Sequence, residues 1–373
     1  MKRLFISLLM VLPLLASCTK KDNEIVIGEY DSLTGSDATF GLGSNKGIRL
    51  AFDEINAAGG VKGKKLSLVT VDDQGKNEEA VSAVKRLITQ NNVVAIIGGV
   101  ASGRSKAAAP ITQDKGIPFI SPASTNPDVT KIGDYVFRVC FIDPFQGSVM
   151  AKFAGETLKA KKVAVLRDVK NDYSVGLADA FVTDFKKRGG EIVTDVSYQA
   201  GDIDFKAQLT QIRSKTPDAI YVPGYYTEVG LIAQQARQLG IKAPLMGGDG
   251  WDSDKLHEIG KEAINGSYFS NHYTTESTDP AVTEFIKKYK AKYNETPGSF
   301  AALAYDAAKV LAAAMERAPD LSGKAIRDEL AKTKDFPGVT GKITLNENRD
   351  AVKSAVIIQV DGPNRKYITT VTP

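Results

Sequence analysis

The chain has 373 residues, 43% of them hydrophobic and 25% charged, with a formal net charge of +4. That length exceeds one typical domain and favours two α/β domains, and the composition is that of an ordinary soluble globular protein. Lys2 and Arg3 supply two of the positive charges; the +2 left on the rest is too little to imply a nucleic-acid partner.

The chain opens on Lys2 and Arg3 followed by an apolar run over 4–15, which reads as a targeting segment too short to span a membrane. It closes in Leu15-Ala16-Ser17-Cys18, which matches the lipobox of bacterial lipoproteins. A signal peptide over 1–17, lipidation at Cys18 and a polar tether over 18–24 are therefore expected, holding a soluble body close to a bacterial membrane. Cys140 is the only other cysteine, so no disulfide is expected and a small buried hydrophobe is the reading. His257 and His272 have no metal-ligand spacing, and no motif calls for a metal or cofactor.

Residues 25–30 read as a strand and 31–35 as a loop at its carboxyl end. Gly41, Gly43 and Gly47 are expected to lead into a helix that carries Ile48, Leu50, Ala51 and Ile55 inward and stops at Gly59-Gly60. Residues 65–73 alternate as a strand, and 76–90 show one apolar helical face. The apolar run 93–97 is a strand buried on both faces, broken by Gly98-Gly99. Ser102 is expected at the N-cap of a helix running to Lys115. A second buried strand over 117–120 runs into the hydroxyl-rich turn Ser121-Pro122-Ala123-Ser124-Thr125-Asn126.

Two parallel strands that both end in serine and threonine loops set those loops side by side, beyond the carboxyl ends where open α/β sheets bind ligands. Backbone N–H donors at a helix start plus hydroxyls suit a small anion such as a carboxylate. The alternation continues: a strand over 136–140, a helix over 145–160, a strand over 162–167, a turn over 172–176 and a helix over 177–188. A second run of strand and helix follows to Leu245-Met246, then helices over 280–294 and 299–318 and closing strands over 341–345 and 351–360. Two such runs predict two similar doubly wound lobes with right-handed crossovers.

The lipobox, Asp53-Glu54-Ile55-Asn56-Ala57-Ala58-Gly59-Gly60, the Asp72-Asp73 strand end, the Ile97-Gly98 loop, Pro122-Ala123-Ser124-Thr125 and Tyr221-Val222-Pro223-Gly224-Tyr225 occur in one order over the whole mature chain. Together they resemble the leucine/isoleucine/valine-binding proteins, the extracytoplasmic receptors of branched-chain amino-acid ABC transporters. The resemblance implies an α/β fold of type I periplasmic binding proteins: two doubly wound parallel-sheet lobes joined by three hinge crossings, with lobe one over 25–143 and 272–350 and lobe two over 144–271 and 351–373. It implies a monomer that takes an amino acid in the cleft and delivers it to ABC permease subunits.

Position by position, the resemblance gives Ser102, Ala123 and Thr125 the ligand's carboxylate, with the Ala123 carbonyl and Thr125 hydroxyl also meeting the ammonium. Tyr173 and Tyr225 match two cleft tyrosines, and Asp249 matches the acid that pairs with the ammonium. Phe40 falls in the side-chain pocket, and Trp251 is expected to make that end more aromatic. The family acid is usually glutamate, and Asp249 is shorter by about 1.5 Å, one C–C bond. A shift in preference to another apolar amino acid, or to an aromatic acid or amide, is open on these residues. A ligand sensor is an alternative to a transport receptor. A lipid-anchored hydrolase using Ser102 is disfavoured, since Gly99-Val100-Ala101-Ser102-Gly103 lacks the spacing of a nucleophile elbow.

Overall fold

The computed structural model describes residues 23–373; the expected signal peptide, the lipidation site Cys18 and most of the tether lie outside them. The first wound unit runs β1 (Glu24–Asp31), α1 (Ala38–Ala57), β2 (Lys65–Asp72), α2 (Asn77–Thr89), β3 (Ala95–Gly98), α3 (Ser102–Lys115), β4 (Phe119–Ser121), α4 (Asp128–Lys131) and β5 (Val136–Arg138). Its strands lie parallel in the order β2-β1-β3-β4-β5. The second runs α5 (Asp143–Lys152), β6 (Lys162–Asp168), α6 (Asp172–Lys187), β7 (Glu191–Tyr198), α7 (Lys206–Ser214), β8 (Ala219–Tyr221), α8 (Tyr226–Gln238), β9 (Leu245–Gly247), α9 (Asp254–Gly260) and β10 (Tyr268–Asn271).

The parallel order β7-β6-β8-β9-β10 repeats the first sheet's winding, so the expected doubly wound pair is what forms. The chain then returns to the first lobe through α10 (Pro280–Tyr293), α11 (Ser299–Arg317) and α12 (Gly323–Leu330). A small antiparallel sheet follows: β11 (Phe336–Gly338), β12 (Gly341–Leu345) and β13 (Ala351–Val352). It ends on β14 (Ala355–Asp361), which joins the second sheet antiparallel to β10, and β15 (Asn364–Val371), antiparallel to β14 at the sheet's edge. The chain thus passes between the sheets three times, over 139–142, 272–279 and 353–354. Pairing of Leu345 with Ala351 and Thr344 with Val352 keeps those last two residues with β12, away from the second sheet.

Both lobes bury their parallel strands under helices on each face, as apolar runs without alternation require. Phe40, Ile48, Ala51 and Phe52 of α1 pack with Phe300, Leu303, Ala304 and Ala307 of α11. In lobe two, Val149 and Met150 of α5 meet Leu177, Phe181 and Phe185 of α6. Cys140 is buried and free, as read, and burial pushes its thiol up to about 12. Among the described residues no helix is long and apolar enough to cross a membrane.

Several element boundaries differ from the sequence reading. The glycines at 41, 43 and 47 lie inside α1, not before it. They are spaces: a Cβ at Gly41 would run into the Ser32 carbonyl, and one at Gly47 into the Ala301 carbonyl of α11. Ala101, not Ser102, is the N-cap of α3, and no side chain caps that end. The expected turn at 172–176 is the first turn of α6, capped by the Asn171 side chain, which accepts from the Tyr173 N–H. The helix expected over 145–160 is α5 followed by a π-helical turn, Phe153–Thr157.

The two interior glycines of α1 make opposite predictions. At Gly43 an added methyl meets only ordinary contacts, so Gly43→Ala should raise unfolding free energy by about 0.5–1 kcal/mol through helix propensity. At Gly47 the same change should lower it by about 1–3 kcal/mol, because the Ala301 backbone cannot move away alone. Urea midpoints of the two variants at unchanged slope check both signs.

Candidate functional site

The carboxyl ends of β3 and β4 are tied to each other before any ligand is considered. Gly98 (φ +136°) and Gly99 (φ +63°) turn the chain where other residues would be strained, with Gly98 set against the Tyr30 backbone. The turn aims the Gly99 carbonyl at three hydroxyls: Ser105 Oγ at 2.7 Å, Ser121 Oγ at 2.9 Å and Ser124 Oγ at 2.5 Å all donate to it. Ser102, first residue of α3, accepts from the Asn126 N–H at 3.2 Å, so the start of α3 and the 121–126 turn form one wall.

Facing that wall, lobe two presents its own strand ends. Tyr173 sits in the first turn of α6, Tyr225 caps α8, and Asp249 begins a 3-10 turn (Asp249–Trp251) after β9. A narrow space between the lobes, about 10 Å³ and so room for roughly one water, is lined by Phe40, Val100, Ala101, Ser102, Ala123, Tyr173, Tyr225, Asp249, Gly250 and Phe300. Six of the residues singled out from sequence, Ser102, Ala123, Tyr173, Tyr225, Asp249 and Phe40, therefore meet at one point. The aromatics run across both lobes: Tyr173 stacks on Tyr225 (5.4 Å), Phe40 stands edge-on to Tyr225 (5.5 Å), and Phe300 packs on Phe40 (4.3 Å). A larger polar space of about 330 Å³, lined by Asp37, Asn77, Arg104, Lys170 and Asp172, opens outside it.

Two expected residues lie elsewhere. Trp251 does not line the cavity: it is fully buried in lobe two, tilted over Phe269, with its indole N–H donated to the Val222 carbonyl at 3.0 Å. The 3-10 turn that points Asp249 at the cleft sends Trp251 into the core. Thr125 is buried just behind the wall, its carbonyl accepting from the Asp143 N–H at 2.9 Å and its hydroxyl without a partner.

Asp249 is 2% exposed, and its two oxygens are held separately. Gln146 Nε2 donates to Oδ1 at 2.9 Å, and His272 Nε2 lies 3.0 Å from Oδ2. Burial holds the His272 imidazole below its ordinary pKa against the pull of Asp249, so the ring is neutral and carries its proton on Nε2. Phe141 stacks on that ring at 3.9 Å. Tyr173 adds a backbone anchor, its hydroxyl accepting from the Gly250 N–H at 3.1 Å. Gln146, His272 and Phe300 were not signalled as site residues: each is an ordinary residue of a helix or strand end, and only the winding brings it here.

Charge is spread unevenly behind the first wall. Arg104 pairs with Asp37, and its Nε lies 3.4 Å from Asp73 Oδ2. Beneath them Glu29 is pushed up to about 7 by burial, against hydrogen bonds from Thr70 and Asn45. Burial likewise pushes Asp143, at the start of α5, up to about 8, and the Asp249 charge adds to it. Both Asp143 oxygens are unpartnered. Among the described residues no group of three His, Cys, Asp or Glu could hold a metal.

A sequence model of the family described as periplasmic binding protein matches residues 24–366. The Leu/Ile/Val-binding protein BraC3 of Rhizobium johnstonii is 33% identical over 88% of this chain and 89% of its own length. The leucine binding protein LivK of Thermotoga maritima superposes with a TM-score of 0.90 at 42% identity, over 94% of this chain and 99% of that one. The branched-chain amino acid transporter substrate binding protein LivJ of Streptococcus pneumoniae, solved in complex with isoleucine, gives 0.89 at 40% identity, over 94% and 100%.

The raised carboxyls give a pH test of the site's scaffold. Glu29 and Asp143 are ionised in the unfolded chain above about pH 4 but take up protons on folding, so the stability they allow is full below that pH and is lost as pH rises through about 7 and about 8. Unfolding free energy should fall with pH over that window, at up to about 1.4 kcal/mol per pH unit for each proton. Denaturant titrations from pH 5 to 8.5 should show Glu29→Gln reducing the slope only below about pH 7, and Asp143→Asn reducing it throughout and removing the part of the fall between about pH 7 and 8.

Proposed function

The chain belongs to the periplasmic binding protein family, a family of extracytoplasmic binding proteins rather than enzymes, and we propose that it captures a branched-chain amino acid in the interlobe cleft for delivery to an ABC permease. The observation that carries this reading is the pairing of opposite chemistries across one small cavity: hydroxyls and backbone donors of Ser102 and the 121–126 turn on one side, the buried Asp249 carboxylate on the other. A zwitterion taken out of water needs donors for its carboxylate and a negative group for its ammonium at fixed separation.

In this reading Ser102 and Ala123 hold the carboxylate with Thr125 directly behind them, Asp249 pairs with the ammonium, and Tyr173 and Tyr225 stack over the Cα end. The apolar side chain meets Phe40, Phe300 and Val100. LivJ, which shares this fold, is in complex with isoleucine. The sequence of residues 1–24 supports lipid anchoring through Cys18, which would keep a monomeric receptor beside its permease.

Titration calorimetry against leucine, isoleucine, valine, phenylalanine and benzoate should give the tightest binding with one of the first three; heat only with the aromatic ligands, or with none, would overturn the reading. Asp249→Ala should weaken the best amino acid by about 1.5–3 kcal/mol, the range for hydrogen bonds to charged groups, or roughly 10- to 150-fold. An unchanged affinity would remove its ammonium role.

A further inference from the structure

Resting on that reading of the cleft, we propose that Gln146 and His272 are positioning residues for the ammonium site, and that selection of amino acids over their 2-oxo counterparts depends on them through Asp249. Neither lines the cavity. Each holds one oxygen of Asp249, Gln146 at 2.9 Å and His272 at 3.0 Å, and both are buried.

Two physical requirements converge on this pair. An aspartate is too short to search for its partner: with one fewer torsion than glutamate, its carboxylate plane is set by whatever grips its oxygens. A carboxylate out of water also costs several kcal/mol unless donors meet its oxygens, so its place in the wall is kept only while they do. Gln146 and His272 meet both requirements. They are themselves fixed: Gln146 lies one turn into α5, and the His272 ring is sandwiched against Phe141, with the His272 N–H donating to the Asn271 side chain at 2.8 Å.

Their placement also follows the hinges. Gln146 enters just after the first crossing (139–142), and His272 opens the second (272–279). The charge that meets the ammonium is thus braced from the two segments about which the lobes turn, on the lobe-two side of each.

The test separates positioning from plain structural support. Dissociation constants for L-leucine and for 4-methyl-2-oxopentanoate, which keeps the carboxylate and side chain but has no ammonium, are measured for the native chain and for Gln146→Met, His272→Phe and Asp249→Asn. Gln146→Met keeps side-chain length and helix propensity, and His272→Phe keeps the stack on Phe141. Each should weaken leucine about tenfold or more while moving the oxo acid less than about threefold. In the Asp249→Asn background both effects should vanish, because the residue they act through has lost its charge. Equal losses for both ligands, or persistence of the losses with Asp249→Asn, would overturn the proposal and assign the pair a packing role. If His272→Phe does not fold, Gln146→Met alone decides. Native chain that binds no amino acid would end both this inference and the reading beneath it, whereas leucine binding that needs Asp249 but tolerates both variants would end the inference alone.

Discussion

A carboxylate kept from water, yet furnished with donors, is the constraint around which lobe two is built. Burying Asp249 costs several kcal/mol unless its oxygens are met, and the fold meets them from α5 and from the end of β10. The turn that carries it is pinned on the other side by Tyr173 through the Gly250 N–H and by Trp251 through the Val222 carbonyl. Lobe one answers with the opposite device, neutral hydroxyls gathered on the Gly99 carbonyl so that the Ser102 and 121–126 segments cannot drift apart. Neither half needs the other to keep its shape. What the two create together is a separation, the distance between a set of donors and one negative charge.

The winding was readable from sequence because buried parallel strands leave apolar runs and their helices leave a 3.6-residue face. The limits of that reading are as physical as its success. Glycines at 41, 43 and 47 read as a loop, since a helix interior seldom tolerates three; here α1 lies so close to the β1–α1 turn and to α11 that Gly41 and Gly47 have no room for a methyl. Trp251 read as a pocket residue because it is two positions from Asp249, and a 3-10 turn rotates neighbours by about 120° each, which is enough to carry it from cleft to core. Gln146 and His272 left no signal at all. Their role exists only in the contact between the first turn of α5 and the carboxyl end of β10, which no local pattern encodes.

The segments that join the lobes are themselves tied to the first wall. Arg138, fully buried at the end of β5, donates to Ser124 O and Thr130 Oγ1 and pairs with Asp350 at 2.7 Å, so the 121–126 turn and the approach to the third crossing share one guanidinium. Lys353, on that crossing, reaches Thr340 and the Val139 carbonyl of the first. Other contacts bridge the lobes directly: Lys106 to Asp172 at 3.0 Å, Thr227 to the Ser36 carbonyl at 2.8 Å, Thr39 to Ser253 at 3.0 Å, Asn126 to the Asp172 carbonyl at 2.9 Å and, buried, the Ser299 N–H to Asp252 at 2.7 Å. The exposed ion pair among these is of the kind that contributes about 0–1 kcal/mol, far less than a buried one costs to break. Each half-site is thus tied within its own lobe, and single contacts join the two, the arrangement a hinged pair of lobes requires.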